Sequence, residues 1–467
     1  MVPPFDNRRS QSATVVLGTL LIALVACTGL SETNNADTDA APPRDSAGKV
    51  EPCESHAPHA SDLPTLFIDT GGAEIPDEPK VPALLEVHAP GDWFAANVPL
   101  LTSPIGIEIR GSSSRGHRKL SYGFELLDAE GQDKPLPVLG LPEASDWVLY
   151  GPFLDPSAMR NVLAYRLSRS IGRWAPRTKY VELYVGHRSR PQYSDFKGLY
   201  VLTERTDRGP GRIDIFPQQD RETDPTLISG GYIVRIDRTR PGDTHFRTDS
   251  GQQVTYRYPK PNRMSDAQKD WIAEYVRAFE RSLDSRSYGE FIDVDSFVDF
   301  ALIQELSRNC DAYRVSTYFH KDRGHKLVAG PVWDFNIAFG LRNARCRSSD
   351  GWLTRGSSNL GHPWWNALFY DPLFVDRFAK RWRELRRQHL SDRRISATID
   401  DLAETVRQGQ QRDVGRWQKP GSSACEPATY DRHLAWLKDW IRERTAWIDR
   451  NIDTLRVPPR RGRSRLL

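Results

Sequence analysis

The sequence predicts an α+β protein with two lobes, in which a β-rich N-terminal half precedes a mainly helical C-terminal half. In the first half apolar residues alternate with other residues, as at 105–110 and 121–126, and this is the period of half-buried β-strands. Beyond Ser265 the apolar residues recur at spacings of three and four, which is typical of amphipathic helices. Two consecutive halves of different type indicate lobes that pack around a cleft.

The composition excludes several other classes of protein. The chain has 467 residues, of which 38% are hydrophobic and 27% are charged, a balance typical of globular proteins rather than fibrous or polytopic membrane proteins. Its net charge is only +4, and five arginines fall in the last twelve residues. We therefore predict that 456–467 is a basic disordered tail, and we expect no nucleic-acid partner.

The N-terminus has the pattern of a bacterial lipoprotein signal. Arg8 and Arg9 precede an apolar run at 15–26, which is too short to span a membrane and ends directly before Cys27. The segment Leu24 to Cys27 resembles a lipobox, which implies that residues 1–26 are removed and that lipid is attached to Cys27. An ordinary signal peptide is the alternative. We expect an exported, membrane-anchored lipoprotein of the bacterial cell envelope.

The residues after Cys27 predict a tether and then a folded domain. Residues 27–60 are mostly small or polar and contain almost no large apolar side chain, so we predict a disordered tether. The domain is predicted at 61–455, with an N-lobe at about 61–260 and a C-lobe at about 261–455.

Four further cysteines permit disulfides in an exported protein. They are Cys53, Cys310, Cys346 and Cys425. Three connectivities are possible, and the sequence proves none of them. The preferred pair is Cys346 with Cys425, because both lie in loops that contain Gly or Ser, whereas Cys310 is interpreted as a small buried hydrophobic residue.

Strand and helix patterns define the elements of the two lobes. In the N-lobe, a helix is expected to open at Asp155 as its N-cap and to run to about residue 171. Further strands are predicted at 66–68, 83–87, 180–185, 198–203 and 231–236. In the C-lobe, helices are predicted at 266–283, 294–308 and 430–455.

The most informative stretch runs from residue 305 to residue 340. A helix is expected to end near Arg308, with Asp311 in the loop after it, a hairpin over 316–332, and Asp334 at the end of its second strand. Protein kinases use this layout to place a catalytic Asp and a metal-binding Asp on opposite sides of the transferred phosphate. The alternative is that each Asp caps a turn.

Residues 330–340 read Gly-Pro-Val-Trp-Asp-Phe-Asn-Ile-Ala-Phe-Gly. This string resembles the signature of the CotH kinase family, the atypical secreted kinases related to spore coat protein H. The resemblance extends over about 63–455. Its further blocks are 110–116 with Lys119 and Tyr122; Asp146 and Trp147 with Asp155, Ser157, Arg160 and Asn161; and 198–200 with Glu204. It implies an atypical protein-kinase-like two-lobe fold that uses ATP with Mg²⁺ or Mn²⁺.

The resemblance also implies roles for individual residues. Asp311 corresponds to the catalytic Asp, and Asp334 is the metal ligand, with Asn336 as a second candidate residue for the metal. Ser316 stands where kinases have a second metal-binding Asn. The remaining candidates are expected to contact the nucleotide or to line its site: Arg110, Ser112, Ser113, Ser114, Lys119, Glu204, Asn309 and Ser316.

We therefore predict an exported, lipid-anchored kinase that transfers the γ-phosphoryl group of ATP to Ser or Thr hydroxyls of an envelope or surface protein. The alternatives are a non-catalytic surface binding or structural module on the same fold and a phosphotransferase that acts on a small molecule or glycan. Asp311 and Asp334 alone resemble a glycosidase pair, but nothing else supports that reaction. Neither a Gly-x-Ser-x-Gly nor a His-Glu-x-x-His motif is present.

Overall fold

A computed structural model describes residues 60–92, 98–187, 191–240, 242–341, 344–355, 362–417 and 427–456. The predicted signal peptide with Cys27, the tether up to residue 59, Cys53, Cys425 and residues 457–467 of the tail lie outside the described residues. Within the described ranges, no helix is both long enough and apolar enough to cross a membrane.

The described chain is an α+β structure in which strands dominate the first half and helices the second. The strands are β1 (Ala60–Ser61), β2 (Thr65–Asp69), β3 (Val81–His88), β4 (Gly91–Asp92), β5 (Leu101–Arg110), β6 (Ser121–Leu126), β7 (Leu136–Val138), β8 (Leu141–Ala144), β9 (Asp146–Tyr150), β10 (Thr178–Gly186), β11 (Phe196–Glu204), β12 (Tyr232–Ile236), β13 (His245–Arg247), β14 (Gln253–Tyr258), β15 (Thr317–Lys321) and β16 (Leu327–Ala329). The helices are α1 (Arg160–Ser170), α2 (Asp266–Ser285), α3 (Val294–Ser307), α4 (Ala344–Arg347), α5 (Pro363–Tyr370), α6 (Pro372–Arg387), α7 (Asp392–Trp417) and α8 (Pro427–Asn451). The predicted α+β class is confirmed.

Seven strands form a closed barrel in the order β10, β11, β9, β6, β5, β3, β2, and β2 and β10 close it as a parallel pair. The alternating apolar residues of these strands point inward, because successive side chains of a strand face opposite sides. Leu66, Ile107, Phe124, Trp147 and Leu183 are among the residues of this interior core. Helix α7 is anchored to the barrel, since the Asp413 carboxylate accepts the backbone N–H of Leu199 at 3.0 Å.

A second sheet has the order β13, β14, β12, β15, β16. Its last two strands are the predicted hairpin between the two candidate aspartates, and the prediction of that hairpin is confirmed. The other three strands come from the β-rich half, so the sheet crosses the predicted lobe boundary near residue 260. Helices α2 and α3 pack with this sheet in the larger hydrophobic core of the molecule.

Helix α1 begins at Arg160, so the predicted start at Asp155 is wrong. Ala158 has a φ of 56°, a left-handed conformation that interrupts helical hydrogen bonding. Asp155 caps the turn that precedes the helix instead, because its carboxylate accepts the backbone N–H groups of Ser157 at 3.0 Å and Arg160 at 2.8 Å.

The structure contains a disulfide between Cys310 and Cys346, with a Cα–Cα distance of 5.7 Å. The preferred pairing of Cys346 with Cys425 is therefore wrong. Cys310 is buried in the hydrophobic core, as interpreted, but it is disulfide-bonded there. The physical reason is tertiary: the chain that follows Asp334 folds back against the end of α3, which brings α4 and its Cys346 beside Cys310.

Candidate functional site

Asp311 and Asp334 lie on two neighbouring loops whose backbones are irregular. Helix α3 ends at Ser307, and the backbone N–H of Phe339 returns to donate to the Ser307 carbonyl at 2.7 Å. Of the nine non-glycine residues with positive φ in the described ranges, five lie between 308 and 339. They are Arg308 (43°), Tyr313 (68°), Ser316 (52°), Asp334 (64°) and Phe339 (52°). Such conformations cost energy and cluster at functional sites.

The carboxyl group of Asp334 lies in a field of negative charge. Its pKa is raised to about 6, first because burial removes water from the carboxyl and then because Asp311 and Asp237 add negative charge nearby. Arg110 and a hydrogen bond from Ser316 act in the opposite direction. The structure therefore brings together Asp311, Asp334, Ser316 and Arg110, which the sequence predicted to share one site.

Asp237 is a member of this cluster that sequence reasoning missed. It follows the last residue of β12, and the antiparallel register pairs Ile236 with Thr317, so Asp237 lies across from Ser316. The only local signal is a carboxylate directly after a buried strand, which is a common feature of strand ends. The pairing of β12 with β15, which joins distant parts of the chain, is what gives Asp237 its place.

The segment that carries Asp334 is held by residues from α1 and from the turn before it. The backbone N–H of Asp334 donates to the Tyr165 hydroxyl at 3.4 Å, and that of Phe335 donates to Asn161 Oδ1 at 2.5 Å. Arg160 Nε donates to the carbonyl of Ala338 at 3.1 Å. Asn161 and Arg160 are thus supports of the candidate site.

Arg110 places a positive charge near the Asp334 carboxyl. It ends strand β5, and its guanidinium lies over the Trp333 ring, 5.6 Å from the ring centroid. Burial and the neighbouring Arg205 guanidinium lower the pKa of Arg110 to about 10. Its guanidinium makes no ion pair or hydrogen bond with any residue that the structure describes. By contrast, Arg205 and Arg257 both pair with Asp207.

Lys119 and Glu204 have protein partners away from the two aspartates. The Lys119 ammonium is fully buried, donates to the Asp413 carboxylate and to the Leu199 carbonyl, and thereby ties the barrel to α7. The Glu204 carboxylate is also fully buried and accepts from Arg177 at 2.7 Å and from Arg212 at 3.0 Å. These contacts explain both residues as parts of buried ion pairs.

The predicted Ser/Gly loop begins directly after Arg110. Gly111 has a φ of 121°, and its carbonyl accepts from Arg240 at 2.8 Å. The loop continues as a 3₁₀ turn over Ser113–Gly116, with Ser112 exposed and Ser114 partly exposed. The Ser113 side chain lies outside what the structure describes. The loop therefore flanks Arg110 at the surface.

The oxygen groups at the site suit a hard divalent cation. Carboxylate and hydroxyl oxygens are the ligands that Mg²⁺ and Mn²⁺ prefer, and Mg²⁺ commonly takes only one or two protein carboxylates beside phosphate and water. A bound cation would offset the negative charge that raises the pKa of Asp334. Asn336, partly exposed, lies two residues further on. Among the described residues, no group of three or more His, Cys, Asp and Glu is arranged to hold a metal alone.

A separate cavity of about 160 Å³ has Val332 in its wall, two residues before Asp334. Its charged lining includes Arg173 and Asp299, which form an ion pair with each other at 2.7 Å. His320 also lines it, and burial lowers the pKa of this imidazole to about 4, so it is neutral at physiological pH. The charges of Arg173 and Asp299 in this cavity thus compensate each other, whereas the carboxylates of the Asp334 cluster share one sign.

Comparison with known proteins gives one family. A family model described as CotH kinase protein matches residues 107–448, which include every candidate site residue from Arg110 to Asn336. No match was found among the curated proteins.

Proposed function

The chain belongs to the CotH kinase protein family, and we propose that it is an ATP-dependent kinase that transfers a phosphoryl group to Ser or Thr hydroxyls of a protein. The observation that carries the proposal is the cluster of Asp237, Asp311 and Asp334 beside the guanidinium of Arg110, which has no ion-pair partner among the described residues. Phosphoryl transfer requires both signs of charge, since cations stabilise phosphate oxygens while carboxylates hold the metal and orient the attacking hydroxyl.

We assign the two aspartates different tasks. The Asp334 carboxylate accepts a hydrogen bond from Ser316, so these two residues are the proposed protein ligands of the metal. Mg²⁺ or Mn²⁺, when bound with ATP, neutralises charge on the phosphate oxygens. Asp311 is partly exposed and lies 3.7 Å from Arg314 at the protein surface, a place where an acceptor hydroxyl can approach. Asp311 is proposed to accept or orient the proton of that hydroxyl.

We assign the contact with the phosphates to Arg110, whereas Lys119, which the sequence also placed at the nucleotide site, is paired with Asp413. An arginine fork binds phosphate oxygens through two parallel N–H groups, and a ring beneath it keeps the fork in a fixed plane. The Arg110 guanidinium has such a ring in Trp333, which in turn stacks on Tyr165 with a centroid distance of 5.9 Å. The Ser/Gly loop after Arg110 is proposed to cover the phosphates.

Phosphate transfer from γ-labelled ATP tests this proposal. The purified chain is incubated with Mg²⁺ or Mn²⁺ and an acidic protein acceptor, and wild type is compared with Asp334→Ala and Asp311→Ala. Asp376→Ala is the control, because Asp376 is an exposed carboxylate that pairs with Arg456 on a helix outside the site. Label that is lost in both site variants and kept in the control supports the kinase.

Two other results would point to different functions. Label that appears only in a small-molecule or glycan product favours the alternative acceptor class. If wild type transfers no label and shows no metal-dependent binding of ATP in a thermal-shift assay, the catalytic proposal fails and a non-catalytic surface module is the better account.

Export and lipid anchoring at Cys27 are part of the proposal. The sequence before Cys27 supports it, and so does the Cys310–Cys346 disulfide, because disulfides persist in oxidising compartments outside the cytosol. Labelling of cells with a fatty-acid analogue tests the anchor: wild type is expected to carry the label and Cys27→Ala to lose it. An unlabelled wild-type chain would contradict lipid anchoring and leave ordinary secretion.

A further inference from the structure

Asn309 lies between the end of α3 and Asp311, and its side chain reaches both loops of the candidate site. The residue is 2% exposed. Its Nδ2 donates to the backbone carbonyl of Asp334 at 3.2 Å, and its Oδ1 accepts the backbone N–H of Asp311 at 3.2 Å. A single amide group therefore bridges the backbones of the two residues to which the proposed function assigns the chemistry.

The two hydrogen bonds fix the orientation of the amide. A flipped side chain would place its oxygen against the Asp334 carbonyl and its N–H₂ group against the Asp311 N–H, and both contacts would be repulsive. Asparagine is the side chain that supplies one donor and one acceptor at this length. Aspartate lacks the donor, leucine lacks both groups, and glutamine is longer by one methylene.

The sequence predicted Asn309 as a contact of the cofactor, but the structure directs both ends of its amide to the protein. The Asp311 loop is tied to the Asp334 segment by this amide and, further along, by the Phe339–Ser307 backbone bond. The Asn309 side chain forms hydrogen bonds with the backbone of both aspartates. Its amide thus joins the two backbones from which the carboxylates project.

We infer that Asn309 is a positioning residue, which holds Asp311 and Asp334 at the separation needed for phosphoryl transfer and contacts neither nucleotide nor metal. This inference rests on the proposed function. A misplacement of about 1 Å at a reacting group lowers turnover about 100-fold, while binding of the substrate is largely kept. Loss of the Asn309 bridge is therefore expected to reduce kcat far more than it raises KM for ATP.

The test compares two variants of Asn309 with a matched control in the full chain. Asn309→Asp keeps the acceptor for the Asp311 N–H but removes the donor to Asp334, and Asn309→Leu removes both bonds at similar volume. Asn451→Leu is the control, because Asn451 on α8 donates to the Trp447 carbonyl of its own helix and has no contact with the site among the described residues. We expect kcat to fall about 100-fold in Asn309→Leu, with KM for ATP within about threefold of wild type, and to fall at least as far in Asn309→Asp, whose second carboxylate oxygen faces the Asp334 carbonyl.

Amide hydrogen exchange gives a readout that does not depend on activity. In both Asn309 variants, peptides that contain 334–339 are expected to exchange faster than in wild type, and the Asp311 amide only in Asn309→Leu. If Asn309→Leu does not fold, the isosteric Asn309→Asp decides. Wild-type kcat in a folded Asn309→Asp chain, or a rise in KM with kcat unchanged, would overturn the inference.

The two proposals fail in different ways. If wild type transfers no phosphate, the proposed function fails, and the inference of a catalytic positioning role falls with it, even where exchange shows that the loops are coupled. If wild type is active and the exchange of 334–339 is unchanged in the variants, the proposed function stands and the role of Asn309 is refuted.

Discussion

The guanidinium carbon of Arg110 lies 5.6 Å from the centroid of the Trp333 ring, one residue before Asp334. When a guanidinium lies over an indole ring, its N–H groups point outward in the plane of the guanidinium. The same indole belongs to the segment whose next residue is the proposed metal ligand. Trp333 therefore links the proposed phosphate contact to the proposed metal site.

Replacement of Arg110 is expected to impair phosphate transfer more than it impairs folding. Arg110→Met keeps the apolar contact with Trp333 and removes the charge, so kcat/KM for ATP should fall about 100-fold or more, in the range seen when a stabiliser of transition-state charge is lost. Arg110→Lys should recover only part of this loss, because an ammonium cannot bind two phosphate oxygens through a planar fork. Steady-state kinetics measure both effects.

Arg115→Ala is the control for Arg110. Arg115 belongs to the same loop, but its side chain is substantially exposed and pairs with Asp77. Its loss should change kcat/KM by less than about threefold, since exposed ion pairs contribute little. Equal effects of Arg110→Met and Arg115→Ala would contradict a specific phosphate contact at Arg110.

Lys119 should matter for stability rather than for nucleotide binding. Its ammonium and the Asp413 carboxylate are both fully buried, so Lys119→Met leaves an uncompensated charge in the interior and should lower the free energy of unfolding by about 3–5 kcal/mol. Urea denaturation of Lys119→Met, Asp413→Leu and the double variant measures this, and the double variant should be more stable than either single one. If Lys119→Met folds but binds ATP more than tenfold more weakly than wild type, Lys119 contacts the phosphates and its role is not only structural.

Asp334 is expected to destabilise the metal-free protein above pH 6. Its folded-state pKa of about 6 exceeds the ordinary value of 3.8, so the folded chain binds its proton more tightly than the unfolded chain does. The protonated carboxyl therefore contributes to the free energy of unfolding. This contribution is complete below about pH 4 and is lost as the pH rises through 6. In EDTA at pH 8, Asp334→Asn should therefore raise the free energy of unfolding by about 1–3 kcal/mol.

The pH series supplies the check on Asp334. The difference between Asp334→Asn and wild type should shrink as pH falls from 6 to 4, because the wild-type carboxyl becomes protonated and loses its repulsion with Asp311 and Asp237. A stabilisation by Asp334→Asn that is the same at pH 4 and pH 8 would show that charge is not its cause.

The parts of the site that the sequence predicted are those encoded by local patterns. The end of α3, the hairpin β15–β16 and the two aspartates that flank them follow from periodicity and turn residues within about 40 positions of chain. Arg110 was found only through the family resemblance, since a single arginine at a strand end has no distinctive pattern.

The parts that were missed depend on contacts between distant segments. Lys119 meets a carboxylate 294 positions away, and no local pattern marks either residue as buried. Asp237 reaches the site because β12 pairs with β15. The sequence prediction paired Cys346 with Cys425 because both lie in loops. In the structure the chain returns to the end of α3, and Cys346 is bonded to Cys310. In each case the decisive contact is set by tertiary packing rather than by local propensity.

Reduction of the Cys310–Cys346 disulfide should loosen the whole candidate site. The two cysteines are 36 positions apart, and the loop that they close contains both Asp311 and Asp334. Loop-closure entropy for a loop of this length corresponds to about 4 kcal/mol of stability, so a dithiol reductant should lower the thermal midpoint and phosphate transfer together. Cys346→Ser should behave like reduced wild type and should not respond to the reductant. If mass spectrometry shows both thiols reduced while the midpoint and the transfer rate of wild type stay unchanged, the cross-link does not support the carboxylate loops.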